Sequence, residues 1–277
     1  MRLGRKLLAV GVMMLLLLVP LALLDGLVHE RQQRAHEVVA DIAQASAHAQ
    51  RVTAPLLRLD VERVVRTMER VGGDERLPLQ PIDRTQLETL LVAAADVLVE
   101  ASLASEIRRR GLFDARLFHQ KAAVTARFRV PALRDVPGQQ SVRIRDARWV
   151  LGLGDNRGIT ALTVTANGRA LAPEPGTGVP WLPEGVQAVL PGDWAPGAEV
   201  TTQATLGLTG TSQLSWLPVA ENFRWTLAGD WPHPRFAGFA LPTERRSGSP
   251  PAASRRTAAD WRARPSTSSC SIRSIAT

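Results

Sequence analysis

The 277 residues include one cysteine, no tyrosine, and two lysines against 32 arginines. With Cys270 alone no intramolecular disulfide can form, so any domain outside the cytoplasm must stand on its core. Reaction signatures are missing too: there is no G-x-S-x-G, no H-E-x-x-H, and no cysteine nucleophile ahead of the tail. Gly152, Gly154 and Gly158 give G-x-G-x-x-x-G, which misses the dinucleotide spacing and precedes a strand pattern, not a helix. The net charge of +8 is unevenly placed. Arg2, Arg5 and Lys6 carry three of the eight charges and the residues after Arg246 a net four, which leaves one for everything between. A nearly neutral domain has no excess charge to set against phosphates, so no nucleic-acid partner is expected, and Arg108-Arg109-Arg110 reads as a solvated face.

What the chain does have is a long apolar run. Leu7 to Leu24, LLAVGVMMLLLLVPLALL, carries no charge and no hydrogen-bonding side chain. As a helix it is about 27 Å long, against a hydrocarbon core of about 30 Å, and Leu27 and Val28 extend it past Asp25. In lipid a helix satisfies its own backbone, and Pro20 lies near the far end, where it kinks the span without ending it. A cleavable secretory signal is the alternative, but no small-x-small site follows; DGLVHERQQR is polar and bulky. The run is read as an uncleaved signal anchor held by the lipid bilayer. Three cations and no acid precede it, which by the positive-inside rule puts the N-terminus in the cytoplasm and the main domain in the periplasm of a bacterium.

Beyond the anchor, Leu27 to Ala49 has Val28, Ala35, Val38, Val39, Ile42, Ala45 and Ala49 on one helical face, a juxtamembrane helix that Thr53-Ala54-Pro55 breaks. Leu57, Leu59 and Val61 then alternate with Arg58, Asp60 and Glu62 as in a half-buried strand, although VERVVRTMERV fits a helix equally well. Gly72-Gly73-Asp74 is a turn, and Leu77 to Asp83, with Pro78 and Pro81, a loop. Leu87 to Leu103 is Ala-rich as a helix would be, yet VLVEASL alternates. Gly111 to Val130 alternates clearly, and so does Val142 to Leu153, where Trp149 shares a face with Val142 and Ile144 only across a bulge. From Gly154 onward short strands at Ile159 to Thr165, Val186 to Leu190, Glu199 to Leu208, Leu214 to Pro218 and Phe223 to Leu227 are punctuated by Gly and Pro, with Asn167-Gly168 as a type I′ hairpin. The expected fold is mainly β: an N-terminal transmembrane helix (residues 1–28), a juxtamembrane helix (29–52), an antiparallel sandwich-like periplasmic domain (53–246), and a tail (247–277) without regular structure.

That tail, built from Ser, Pro, Ala, Thr and Arg, is either a basic disordered segment or the product of a lost reading frame. Arginine in such excess over lysine implies GC-rich coding DNA, which read out of frame yields this composition. The frame is expected to fail near residues 245 to 255.

No catalytic, cofactor-binding or metal-ligating residue is assigned. His29, His36 and His48 lie on the juxtamembrane segment without a convergent ligand set, and His233 sits between prolines as a packed corner would. Trp194, Trp216, Trp225 and Trp231 read first as core; displayed in a row they would instead bind glycan or peptidoglycan, the competing function class, with hydrolysis as its enzymatic form.

Several stretches together resemble the CreD family of bacterial inner-membrane proteins, named for cell envelope integrity: LLLLVPLALLDGLVHER, TAPLL at Thr53 to Leu57, GDNRGI at Gly154 to Ile159, EPGTG at Glu174 to Gly178, and GDWPHPRFAGFALP at Gly229 to Pro242. The resemblance covers about Leu7 to Arg246. It implies a non-enzymatic protein of the envelope stress response, linked to colicin and β-lactam tolerance, whose motifs are turns and corners. It also implies a block of C-terminal transmembrane helices where this chain has the basic tail, so a degraded remnant is a further expectation. Sequencing the coding DNA from about codon 235 past the stop tests the frame. The expected result is a shifted frame encoding several apolar runs of about twenty residues.

Overall fold

An apolar run with nothing polar to interrupt it continues as a single helix. In the computed structural model α1 spans Arg2–Ala45, runs through Pro20, and among the described residues leaves the span Gly11–Arg34 with no protein cover. The structure describes residues 2–45, 47–70, 78–110, 113–231, 235–238, 243–248, 256–263 and 270–273. The Gly72-Gly73-Asp74 turn, His233 and Phe239 to Pro242 lie outside them. Anchor and juxtamembrane helix are one element. It stops at Ala45, and Gln50–Thr53 is already strand β1, earlier than the break expected at Thr53-Ala54-Pro55.

The following chain is almost all strand: β2 Leu56–Glu69, β3 Gln80–Arg110, β4 Phe113–Arg129 and β5 Gln139–Gly152. After a 3-10 turn at Asn156–Gly158 come β6 Ile159–Ala166, β7 Arg169–Leu171, β8 Pro173–Pro175, β9 Gly185–Val189 and β10 Glu199–Thr211. The last are β11 Gln213–Leu217, β12 Ala220–Gly229, β13 Arg235–Gly238, β14 Glu244–Gly248, β15 Arg256–Ala263 and β16 Cys270–Arg273. The large sheet runs β7-β6-β10-β4-β3-β2-β5-β9-β8, with β12 alongside β3 and then β15 and β14; a smaller sheet runs β1-β11-β16-β13. The pairing is antiparallel throughout except for β1 with β11 and β12 with β3.

The spine is β3. Its first half pairs with β2 and its second half lies between β4 and β12. Both ambiguous segments are therefore strand: VERVVRTMERV up to Glu69, and the whole of Leu87 to Leu103. Alanine favours a helix locally, but partners on both sides outweigh an intrinsic preference of a few tenths of a kcal/mol. The expected loop at Leu77 to Asp83 is also strand from Gln80 onward. Pro81 opposes Met68 near the start of β3, where the described residues place no partner on the other side to need its missing N–H.

Register explains Trp149. Asp60 opposes Asp146 but Val61 opposes Ile144, so Arg145 is an extra residue and the inward parity switches there. Val142 and Ile144 pack against the core on the near side of this bulge; Ala147, Trp149 and Leu151 are buried beyond it. The Asn167-Gly168 turn has φ of 47° and 80°, the doubly positive pair that a type I′ turn needs. Between the sheets, Trp216 of β11 packs on Trp225 and Phe223 of β12 with ring centroids 6.2 and 6.4 Å apart. Beyond Arg246 the described segments are the end of β14 with β15 and β16. They add to the edges of β12 and β11, where unpaired backbone groups template any extended segment.

One charge lies on the buried face of β2. Arg63 follows Leu57, Leu59 and Val61 inward, and its guanidinium donates to Glu88 Oε2 (3.2 Å), the Arg134 carbonyl (2.6 Å) and Gln139 Oε1 (2.7 Å). It thereby ties the connection between β4 and β5 to the sheet. Arg63→Met keeps the aliphatic stem and removes those bonds. Thermal unfolding of the detergent-solubilised chain should show a loss of about 2 kcal/mol, the usual worth of hydrogen bonds to a charged group.

Candidate functional site: clasped corners and an open-edged groove

Three of the stretches singled out in the sequence are corners, each held by a side chain from elsewhere. GDNRGI lies between β5 and β6. Asp155 caps the 3-10 turn, its Oδ1 accepting from the Arg157 backbone N–H (3.0 Å) and Nε (3.0 Å). Its Oδ2 accepts from Arg157 Nη2 (2.8 Å), the His48 backbone N–H (3.2 Å) and His48 Nδ1 (3.0 Å). With the proton on Nδ1 the ring donates to Asp155, and Arg157 shares the same oxygen. The Arg157 guanidinium, and after it His48, hold the Asp155 carboxyl well below the usual carboxylate range, against the opposing effect of burial. Gln50 Nε2 completes the clasp by donating to the carbonyls of Asp155 (3.1 Å) and Thr209 (3.3 Å). A Cβ at Gly158 would collide with Gln50 Nε2 and the Thr209 carbonyl, so glycine is needed for close approach and not for phosphate binding.

EPGTG follows β8. Arg58 Nη1 donates to the Thr177 carbonyl (3.3 Å), and Arg148 Nη1 reaches Glu174 (3.3 Å). At the start of GDWPHPRFAGFALP, Asp230 Oδ1 accepts from the Ser105 N–H (2.7 Å), and Trp231 stacks on Phe118 at 5.5 Å.

The tryptophans thus separate. Trp216, Trp225 and Trp231 are core, and Trp231, 2% exposed, has no face to offer a sugar. Trp194 differs. Its Nε1 donates to the Leu190 carbonyl (3.2 Å), and it lines a groove of about 740 Å³ between Val142–Arg145 of β5 and Asp193–Pro196, floored by Leu133. On the β5 wall, Arg143 Nε donates to Glu62 Oε1 (2.8 Å) and Arg145 lies 3.3 Å from Glu62 Oε2. A smaller cleft of about 280 Å³ opens between β1 and Gly152–Gly154.

Of the histidines, His29 lies on α1 and His48 in the clasp. His119, not singled out in the sequence, bridges Glu106 Oε2 (2.9 Å) and Thr209 Oγ1 (3.0 Å). The order Thr–His–Glu has the form of a nucleophile relay, but it lies across the exposed face of β10, β4 and β3. Among the described residues, no group of three or more His, Cys, Asp or Glu is arranged to hold a metal ion.

A family model described as inner membrane protein CreD matches residues 2–263. The chain belongs to the CreD family of inner membrane proteins. It is 30% identical over 233 residues to inner membrane protein CreD of Escherichia coli strain K12, covering 83% of this chain and 50% of that protein. It therefore spans about half the length of the curated relative it matches. The CreD match continues past Arg246 into β15. Among solved structures, the M1 zinc metallopeptidase of Deinococcus radiodurans aligns with 66% of this chain and 42% of its own, at 11% identity and a TM-score of 0.35, too distant to carry an argument.

The clasp makes a pH-dependent prediction. A carboxyl whose pKa falls on folding stabilises the protein above its ordinary pKa near 4, and this contribution is lost as pH falls through the lowered value. Asp155→Asn should cost about 2 kcal/mol at pH 7. The gap to wild type, read from melting curves at a series of pH values, should hold down to about pH 5 and close in stronger acid.

Proposed function

We infer that the chain is a non-enzymatic component of cell envelope integrity, anchored by α1 with its N-terminus in the cytoplasm and its β domain in the periplasm. Membership of an inner-membrane protein family is the observation that carries this reading. Three features support it. Among the described residues the span Gly11–Arg34 of α1 is not buried by the rest of the protein, as suits a helix meant for lipid. The cations at Arg2, Arg5 and Lys6 precede it. The sequence stretches shared with the family act as corner clasps, which serve folding and assembly more readily than turnover.

Placement is tested by labelling with a membrane-impermeant maleimide in a Cys270→Ser background. Gln140→Cys should react in cells whose outer membrane alone is permeabilised, and Gly4→Cys only after the inner membrane is lysed. The reverse pattern would overturn the orientation. For the role itself, deleting the gene should raise sensitivity to detergent and β-lactam, and re-expression should restore tolerance. Unchanged tolerance would count against it.

Of the four tryptophans first considered for the glycan-binding alternative only Trp194 is not buried, and Trp181, 70% exposed, is a further aromatic face open to it.

A further inference from the structure

The groove beside Trp194 has an unusual wall. Successive residues of a strand point to opposite faces of its sheet, yet Val142, Arg143, Ile144 and Arg145 all line this one cavity. A cavity touched from both faces lies along the strand's lateral edge. The pairing agrees: β5 is bonded to β2 from Gln139 to Val150, but to β9 only over Arg148–Gly152, with one further bond from the Leu190 N–H to the Ala147 carbonyl. Among the described residues, Gln139–Asp146 has no strand on its other side. The groove thus combines a strand edge that no other described strand pairs with and a facing wall, Asp193–Pro196, on which the Trp194 ring is fixed by its bond to Leu190.

We propose that this edge binds a short extended peptide segment of another protein by strand addition, with alternating apolar and acidic side chains. The alternation follows from the two faces. Side chains on the inner face of an added strand meet Val142, Ile144 and Trp194. Those on the outer face meet Arg143 and Arg145, which share the single carboxylate of Glu62 and so leave one positive charge uncompensated on that wall. Asp193, on the opposite wall, carries the opposite sign, so the acidic side chains of the segment sit against Arg143 and Arg145 and away from that wall. The bulges at Gln140 and Arg145 twist the edge, so it takes a short segment and resists pairing with a long flat one. A volume of about 740 Å³ suits a few residues. The proposal depends on the periplasmic placement only for where the partner is met, and its test uses purified protein, so the two readings fail separately.

The test takes the full chain in detergent and two sets of eight-residue peptides, Val or Ile alternating with Glu and the same with Lys. Hydrogen exchange by mass spectrometry locates any binding. The Glu set should protect residues 139–147 and 193–196, and the Lys set should not. Trp194→Ala should weaken binding at least tenfold, with exchange elsewhere unchanged. Should that variant unfold, Arg143→Gln with Arg145→Gln, both exposed, should remove the preference for Glu over Lys. Three results would overturn the proposal: no protection by either set, equal protection by both, or protection of these residues by chitotetraose and not by peptide. The last would assign the groove to saccharide.

Discussion

A chain leaving a bilayer as a helix must reach a sheet whose strands run in their own directions, and here it does so in about five residues. The Asp155 carboxylate makes that possible. It gathers the His48 backbone, the His48 ring and the Arg157 guanidinium onto one anionic centre, and Gln50 fastens the same corner to β10. Beside it, the bonds from Thr211 to the carbonyls of Ala47 and His48, and from Ser215 to the Gln50 carbonyl, fix the path of the segment after Ala45. The strand β1 starts at once, and with it the smaller sheet, so the position of Trp216 on Trp225 follows from this corner.

The arginine-rich composition is resolved by the same kind of bookkeeping. Many guanidiniums are spent within the sheet: Arg58 on Asp60 and Arg148 on Asp146 along one strand, Arg129 on Glu199 and Arg143 and Arg145 on Glu62 across strands. Each exposed pair is worth well under about 1 kcal/mol, so the rows contribute register more than stability. Arg63, turned to the buried face, is the exception, and it holds a connection in place.

How much of this was legible depended on the range of the deciding interaction. The anchor, the Asn167-Gly168 hairpin and the bulge beside Trp149 could be read because local chemistry settles them: unbroken apolarity, two positive φ angles, a change of parity. The nature of Leu87 to Leu103 could not, because its Ala content favours one state and its partners, 17 to 126 residues away, impose another. Pro81 hid the start of β3 for the same reason. The groove was half visible. The Val-Arg-Ile-Arg alternation showed a strand with one charged face, and Trp194 was noticed, but nothing local shows that β9 leaves the edge of β5 uncovered. His48 was passed over because its partner, Asp155, lies 107 residues on.

The joint between helix and sheet has a mechanical consequence. Beyond Leu24, α1 continues for about 30 Å. Shortly after its far end, buried Ala47 and Gln50 and the Asp155-bonded His48 are fixed to the sheet. A rigid shaft joined stiffly to its load acts as a lever. Any tilt that bilayer thickness imposes on the anchor swings the β domain through an arc, and a few degrees at the membrane become several ångströms at its outer strands. The envelope face of this protein thus inherits its orientation from the lipid.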